Sequence, residues 1–334
     1  MNKKKFSWIT GLLLLSMLLL CAAAVSLCIG SAAVPLKNIF ASLSEGKGSA
    51  AYSIIFDIRL PRIILGLAVG GALALAGVIL QGLFRNPLVE PYTLGISGGA
   101  ALGVSLNIVF KLYRTPGVLT LPLSGFLGAL LIIFLLYLIN ARKGSLKLYG
   151  LLLNGVMISF ISSSLVMLIM SLSRAEDMHG IIFWIMGSLD EPNWPIIKVT
   201  AIAVIVLLTV SYLFCLDLNA LNLGEEEARH LGVPVERSKK ILFVTASLLA
   251  GFSVAAAGMI GFVGLVVPHF VRIFVSRDHR ILLPASFLAG GIFLILCDTI
   301  ARTVIAPMEL PVGVITGILG GGLFIYALAK RKVF

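Results

Sequence analysis

Long apolar runs alternate with short polar stretches along almost the entire chain. An α-helix needs roughly 20 apolar residues to cross the hydrocarbon core of a bilayer, so each long run predicts one transmembrane helix. The predicted segments are 7–30, 63–84, 92–110, 117–140, 148–171, 194–216, 240–257, 258–270, 282–301 and 311–329. The segment 258–270 is too short for a full crossing, and we interpret it as a half-helix that continues from 240–257. Membrane proteins tolerate such irregular backbone only where protein or a water-filled cavity covers it.

These segments predict an all-α, polytopic membrane protein of ten transmembrane helices, in which a single transmembrane domain occupies residues 1–334. Hydrophobic residues make up 59% of the chain and charged residues only 12%, well below a typical soluble domain. The N-terminus, three lysines and then a leucine-rich run, resembles a signal peptide. Because the apolar run continues to Gly30, we interpret it as the first membrane helix.

Positive charges fall unequally on the two sides of the predicted membrane. With the N-terminus inside and ten crossings, 17 of the 26 lysines and arginines lie on the inner side and nine on the outer side. Cytoplasmic loops carry such an excess, so both termini are predicted to be cytoplasmic.

A formal net charge of +11 is also typical of nucleic-acid-binding proteins. Charges that lie between apolar runs fit a membrane protein better, and no nucleic-acid partner is expected.

The longest charged interval, residues 217–240, separates two apolar segments on the inner side. Within it, Gly224 and Gly232 bracket one or two predicted helical turns, with glutamates at the start and Arg229 and His230 at the end. This order suits the helix dipole. A short amphipathic helix at a membrane face has little to pack against in its own chain, so we interpret it as a docking element for another protein. A solvated loop helix without a partner is the alternative.

Three arginines lie on the predicted outer side, against the usual charge bias: Arg59, Arg62 and Arg302. Asp298 precedes Arg302 by four residues on one helical face and could orient it. Outward arginines bind either an acidic partner or lipid headgroups, and the sequence leaves both open. Ion pairs at an interface rim are worth roughly 0.2–1 kcal/mol each, which gives steering and register rather than tight binding.

A proline-bracketed turn follows the second predicted helix at its cytoplasmic end, from Gln81 to Pro91. Pro87 and Pro91 lack backbone donors and end helices, which leaves Asn86 and Leu88 at the mouth of any pathway. The turn is either a gate or an ordinary connection between two helices.

Ionisable residues within the predicted membrane segments are scarce, and Asp298 is the main candidate. A carrier driven by protons or sodium normally has a relay of acids, and a path for a bare hard cation needs oxygen ligands. The scarcity of both indicates that energy comes from another subunit and that the cargo is large and already enclosed. A self-sufficient secondary transporter or channel is the alternative.

No enzyme or metal signature is complete. Gly46-Lys47 lacks the rest of a phosphate-binding loop, the four histidines are scattered, and the four cysteines lie in or beside apolar segments. No catalytic or metal-ligating residue is therefore predicted.

Gly95-Ile96-Ser97-Gly98 has the form found in intramembrane serine proteases, with His269 as a candidate base. This protease is retained as a distant third hypothesis.

Several motifs together resemble the FecCD-type permeases of bacterial ABC importers for ferric siderophores, haem and vitamin B12. The resemblance covers nearly the whole chain. The motifs are Arg59-Leu60-Pro61-Arg62, Asn86-Pro87-Leu88-Val89-Glu90-Pro91, Gly95-Ile96-Ser97, the helix at 224–232, Gly261-Phe262-Val263-Gly264, Pro268-His269 with Arg272, Asp278-His279-Arg280, and Glu309-Leu310-Pro311 with Gly313. Each motif is weak alone, and the set is specific.

The resemblance implies two permease subunits, identical or paralogous, with a translocation path between them. It also implies two cytoplasmic ABC ATPase subunits, which use ATP and Mg and dock on a coupling helix. The matching residues here are Gly224, Glu225, Ala228, Leu231 and Gly232.

On the outer side, the resemblance implies a substrate-binding protein whose acidic residues meet Arg59, Arg62 and Arg302. The cytoplasmic gate of the family matches Asn86 and Leu88, and we assign Gln81 and Pro87 to the same pathway region. Some relatives have a second gate of two small polar residues. Leu148 and Tyr149 stand there in this chain, so that gate is not carried over.

We therefore expect a multi-pass permease subunit in a bacterial plasma membrane, in contact with lipid. We expect it to bind no cofactor itself and to leave ATP hydrolysis to its partners. The expected cargo is an iron(III)–siderophore complex, with haem or cobalamin as alternatives, because the binding protein selects the cargo.

Overall fold

The computed structural model describes residues 3–30, 49, 52–112, 119–142, 145–190 and 193–330, and thirteen α-helices lie within them. The helices are α1 (Lys3–Cys28), α2 (Leu60–Phe84), α3 (Ile96–Val109), α4 (Thr120–Asn140), α5 (Leu148–Leu172), α6 (Ala175–Met186), α7 (Trp194–Leu213), α8 (Cys215–Leu221), α9 (Glu225–His230), α10 (Val235–Ala257), α11 (Val263–Phe274), α12 (His279–Ala301) and α13 (Val312–Ala329). A π-helix (Ser53–Arg59) runs into α2, and a 3-10 helix (Pro91–Leu94) precedes α3. Two strands of two residues, β1 (Ala141–Arg142) and β2 (Ser145–Leu146), pair antiparallel between α4 and α5.

An α-helix occupies each of the ten segments predicted from the apolar runs, although residues 117–118 of the fourth lie outside the described ranges. Eight helices are long and apolar enough to cross a membrane. The other two, α3 and α11, have 14 and 12 residues. The helical fold class is thus confirmed, whereas the ten crossings, the single domain and the cytoplasmic position of both termini stay predictions.

Helix α2 forms the centre of the bundle. In the most apolar stretch of this helix and the π-helix that precedes it, 89% of the residues are buried, the highest share among the eight long helices. Glycines let neighbouring backbones approach it closely, as is common between membrane helices. A methyl group on Gly70 would lie 2.3 Å from the carbonyl oxygen of Gly290 in α12, and one on Gly77 would lie 1.9 Å from that of Gly264 in α11. The chain around α2 therefore has no room for larger residues at these crossings.

The two short helices each begin after an irregular segment. Helix α10 ends at Ala257, and the chain turns sharply between Gly258 and Phe262, both of which have positive φ values of 69° and 67°. The prediction that the half-helix continues from the preceding helix is therefore wrong, because the left-handed residues break the chain direction. Helix α3 likewise follows the 3-10 helix and the left-handed Gly95, which explains why it is shorter than its predicted segment.

Helix α6 was not among the predicted segments. It is amphipathic, with Glu176 and Asp177 in its first turn and Ile181 as its buried residue. Its sequence is too short and too polar to register as a membrane span. The helix covers a cavity of about 550 Å³ that α3, α4, α7 and α10 also line.

Candidate functional site

The predicted docking helix forms at the expected place as α9. Gly224 and Gly232 flank it, and both have positive φ values, 145° and 82°. Ala228 is fully buried, whereas Leu231 keeps 65% of its surface exposed. The helix therefore packs one side against its own chain and presents an apolar residue on the other.

Ion pairs attach α9 to α10. The Lys239 ammonium, in a side chain that is only 3% exposed, lies 3.1 Å from the Glu225 carboxylate and 2.9 Å from that of Glu236. Glu236 in turn accepts a hydrogen bond of 2.9 Å from the backbone amide of Leu146 in β2. The expectation that this helix has little to pack against within its own chain is wrong. The buried Lys239 stands 14 residues after Glu225, so the local sequence pattern does not show this partner.

A second set of polar contacts joins α8, the helix before α9, to the start of α12. The Asn219 amide donates to Asp278 at 2.9 Å, and its oxygen accepts from the His279 backbone amide at 3.0 Å. Arg280 donates to Asp278 at 2.7 Å, and this hydrogen bond holds the pKa of the Asp278 carboxyl below its ordinary value. Both ends of the 217–240 interval are thus fixed to transmembrane helices.

The predicted gate residues divide into two groups. Asn86 caps its own turn by accepting a 2.9 Å hydrogen bond from the Leu88 amide, and Leu88 is half exposed. Gln81 is buried, donates to the Gly264 carbonyl at 3.0 Å and accepts from the Arg272 guanidinium at 2.5 Å. Gln81 therefore joins α2 to α11 and does not line an open path in this arrangement.

The three outward arginines are buried, each with 3% exposure. The Arg62 guanidinium lies 2.9 Å from Asp298, 2.8 Å from Asp190 and 2.8 Å from Glu309. Arg62 is therefore surrounded by three carboxylates of its own chain. Asp190 and Glu309 complete this cluster, and Asp190 is 59% exposed. The sequence alone did not indicate Asp190, and it indicated Glu309 only as part of a family motif.

Arg302 and Arg59 hold the neighbouring helices together. Arg302 pairs with Asp298 at 3.0 Å, which confirms the predicted orientation by a residue one turn earlier. It also donates to the Ser26 hydroxyl of α1 at 2.7 Å, and Arg59 donates to the Leu27 carbonyl. Acids and carbonyls of the same chain therefore cover these arginines, which the sequence places on the outer side. Their role in docking stays a prediction.

Glu90 is a polar residue to which the sequence pattern assigned no role. Its carboxylate accepts a 2.6 Å hydrogen bond from the Phe262 amide, just before α11 begins. The neighbouring Tyr92 hydroxyl accepts one of 3.1 Å from the Ile260 amide. The irregular segment before α3 and the one between α10 and α11 thus meet through the side chains of Glu90 and Tyr92. An acid between two prolines and two apolar helices was the available signal.

The protease hypothesis finds no support in the contacts of Ser97 and His269. Both side chains are buried, and the His269 ring packs edge-on against Phe270 and Phe324. Its Nε2 has no hydrogen-bond partner among the described residues, so no Ser–His pair exists there. The same described ranges hold no group of three or more histidine, cysteine or acidic residues placed to bind a metal ion.

Comparisons with known proteins all identify transport permeases. A family model described as the FecCD transport family matches residues 17–330. The chain is 37% identical over 325 residues to the hemin transport system permease protein HmuU of Yersinia pestis, covering 96% of this chain and 95% of that one. It is 40% identical over 334 residues to the vitamin B12 import system permease protein BtuC of Klebsiella pneumoniae, covering 99% and 96%.

A solved ABC transporter of the metal-chelate type, in an inward-facing conformation, has a similar structure. It superimposes with a TM-score of 0.83 at 33% identity, over 97% of this chain and 99% of that one. PsaBC from Streptococcus pneumoniae shares the fold at 14% identity, with a TM-score of 0.58.

Proposed function

Because the chain belongs to the FecCD transport family, we propose that it is the membrane-spanning permease subunit of an ATP-binding-cassette importer. The observation that carries this proposal is the match over residues 17–330, together with two import permeases at 37% and 40% identity over nearly their whole lengths. The sequence contains no phosphate-binding loop, so two partner ATPase subunits would bind and hydrolyse ATP. A second permease subunit, identical or paralogous, would complete the path.

The cargo in this proposal is a metal chelate. One relative is a hemin permease, another is a vitamin B12 permease, and the structural neighbour is of the metal-chelate type. An iron(III)–siderophore complex is our first candidate, and haem and cobalamin are the alternatives. All three are bulky, preformed complexes, which suits a chain with few ionisable side chains in its helices.

Helix α9 is the proposed contact with the ATPases. Gly224, Glu225, Ala228, Leu231 and Gly232 form it and its two ends. The exposed Leu231 provides an apolar contact, and the ion pairs to Lys239 connect any movement of α9 to α10. ATP-driven closure of the partners would then rock the helical bundles between outward and inward access.

On the opposite side, a binding protein with acidic lobes would dock near Arg59, Arg62 and Arg302. These side chains are buried, so the docking surface in this proposal includes the exposed Asp190 and the partly exposed Glu309 that cover Arg62. Docking would exchange these intrachain acids for acids of the partner, so that the buried Arg62 guanidinium keeps carboxylate partners throughout.

Reconstitution tests the proposal. The chain would be purified with its cognate ATPase and placed in liposomes, and the binding protein would be loaded with an iron(III)–siderophore complex, haem or cobalamin. We expect uptake of one chelate that requires hydrolysable ATP and stops with a non-hydrolysable analogue. Uptake by liposomes that contain the chain alone, driven by a proton or sodium gradient, would overturn the proposal in favour of a secondary transporter.

A further inference from the structure

Glu90 lies near the middle of the helical bundle, although it follows a helix end in the sequence. It accepts its hydrogen bond from Phe262, two residues before Gly264. Gly264 packs so closely on α2 that a methyl group there would lie 2.9 Å from the carbonyl oxygen of Leu73. Leu73 is near the midpoint of α2, which runs from Leu60 to Phe84. The chain after α2 therefore folds back towards the middle of the membrane.

A groove of about 340 Å³ opens beside Glu90 on α5. Ser159, one of its lining residues, lies at the midpoint of α5, so the groove sits halfway along this helix as well. The lining residues used below are Glu90, Tyr92, Thr93, Ser159, Phe160 and Ser163. The midpoints of α2 and of α5 thus both place the groove near the middle of the membrane.

Two hydroxyls of this groove donate their protons to backbone carbonyls, which leaves their lone pairs free. The Thr93 hydroxyl donates its proton to the Glu90 carbonyl at 2.7 Å, and the Ser159 hydroxyl donates to the Gly155 carbonyl at 2.9 Å. In the part of the chain that the structure describes, no cation lies within ion-pair distance of the Glu90 carboxylate. A carboxylate with spare acceptors beside it suits a positively charged or hydrogen-bond-donating group.

A carboxylate at this depth is poorly suited to a lipid-facing surface, because acids in membrane helices face the bundle interior or a water-filled cavity. This tendency favours an aqueous over a lipid-facing position for the groove. We infer that it is a subsite on the translocation path, which takes a positively charged or hydrogen-bond-donating group of the cargo.

This inference rests on the proposed transport function and adds a chemical preference to it. Leu88, at the predicted cytoplasmic gate, is two residues before Glu90, so the groove lies next to that gate. The two roles of Glu90 are separable. Glu90→Gln keeps an oxygen that accepts from the Phe262 amide and removes the charge of this lining residue.

Thiol labelling of the purified chain tests the groove without any ATPase or binding protein. In a variant whose four native cysteines are replaced by alanine, single cysteines would be placed at Ser159 and Ser163. Each would react with a cationic trimethylammonium and an anionic sulfonate methanethiosulfonate reagent, with both rates corrected for those of a free small thiol. Ser162→Cys is the matched control, because Ser162 is buried on the same helix and packs against Gly98.

We expect both groove cysteines to react, with a preference of roughly tenfold for the cationic reagent, from the attraction and repulsion of one nearby charge. Glu90→Gln should remove this preference, Glu90→Asp should keep it, and the control should stay unreactive. Monodisperse elution of each variant verifies its fold. Unreactive cysteines at both groove positions, or reaction without a charge preference, would overturn the inference. A retained preference in a chain that fails in ATP-driven uptake would instead count against the proposed function alone.

Discussion

The Lys239 ammonium lies 3.1 Å from both carboxylate oxygens of Glu225, and so joins the first residue of α9 to the second turn of α10. The same ammonium contacts Glu236, which holds the Leu146 amide in the hairpin before α5. One buried cation therefore connects the proposed ATPase-docking helix to two transmembrane helices. A push on α9 has a direct physical route to α10 and α5.

Lys239→Met should uncouple ATP hydrolysis from uptake. The substitution keeps the apolar stem and leaves the Glu225 and Glu236 carboxylates with only the more distant, exposed Arg229 as a cation. This loss should lower stability by about 1–3 kcal/mol. We expect the cargo imported per ATP hydrolysed to fall roughly tenfold, because movement of α9 no longer reaches α10. Transport and hydrolysis would be measured together in proteoliposomes.

The matched control for this change is Arg237→Met, which removes an exposed charge from the same helix. We expect transport per ATP to change little there, since exposed charges contribute little. Equal effects of the two substitutions would reject a specific role of Lys239 in coupling.

The glycines at the ends of α9 should tolerate substitution unequally. Gly224 has φ 145° and ψ 157°, a region that is essentially restricted to glycine, and a methyl group there would meet the Glu227 carboxylate. Gly232 has φ 82° and open space around it. We expect Gly224→Ala to displace α9 and reduce ATP-coupled uptake.

At Gly232, backbone strain rather than space decides the outcome. Asparagine adopts left-handed conformations readily and β-branched residues do not. Gly232→Asn should therefore transport normally, whereas Gly232→Val should be impaired by a strain of about 1–2 kcal/mol. Faster uptake by the Gly232→Val variant than by the Gly232→Asn variant would contradict the role given to backbone strain.

Hydropathy and helix-end signals were enough to predict the long helices and the bounds of α9, because both depend on residues close in sequence. The contact between Glu90 and Phe262 was not predictable in this way, since 172 positions separate the two residues. The sequence places Arg62 on the outer side but does not show which groups it contacts. Its three acids come from distant segments, so only the folded chain shows that they cover it.

Arg62 should matter for folding as well as for docking. Arg62→Met leaves Asp298, which is 3% exposed, with fewer donors, and breaking a buried ion pair costs about 3–5 kcal/mol. We expect a clear drop in the thermal unfolding temperature of the purified permease in detergent. Arg174→Met, an exposed arginine on the predicted outer side, is the control and should leave this temperature unchanged. An unaltered melting curve for Arg62→Met would show that the cluster does not stabilise the chain.

Docking itself is tested by the acids that cover Arg62. Asp190→Asn and Glu309→Gln remove two intrachain partners of its guanidinium and leave its charge in place. If acids of the binding protein compete for this group, the double variant should bind the protein several-fold more tightly in low salt. Weaker binding, measured by surface immobilisation of the permease, would instead mean that the two acids contact the partner themselves.

Gln81 should control the position of α11 next to the predicted gate. Its side-chain amide donates a hydrogen bond to the Gly264 carbonyl and accepts one from the Arg272 guanidinium. Gln81→Met would therefore remove the partner of one acceptor and of one cation. The expected cost is about 1–3 kcal/mol, and we expect the thermal unfolding temperature and the uptake rate to fall together. Asn86→Ala is the control for the unfolding temperature alone, since Asn86 is itself a predicted gate residue. Asn86 caps only an exposed turn, so its loss should cost less than about 1 kcal/mol. Wild-type stability and uptake in Gln81→Met would show that α11 is held by packing alone.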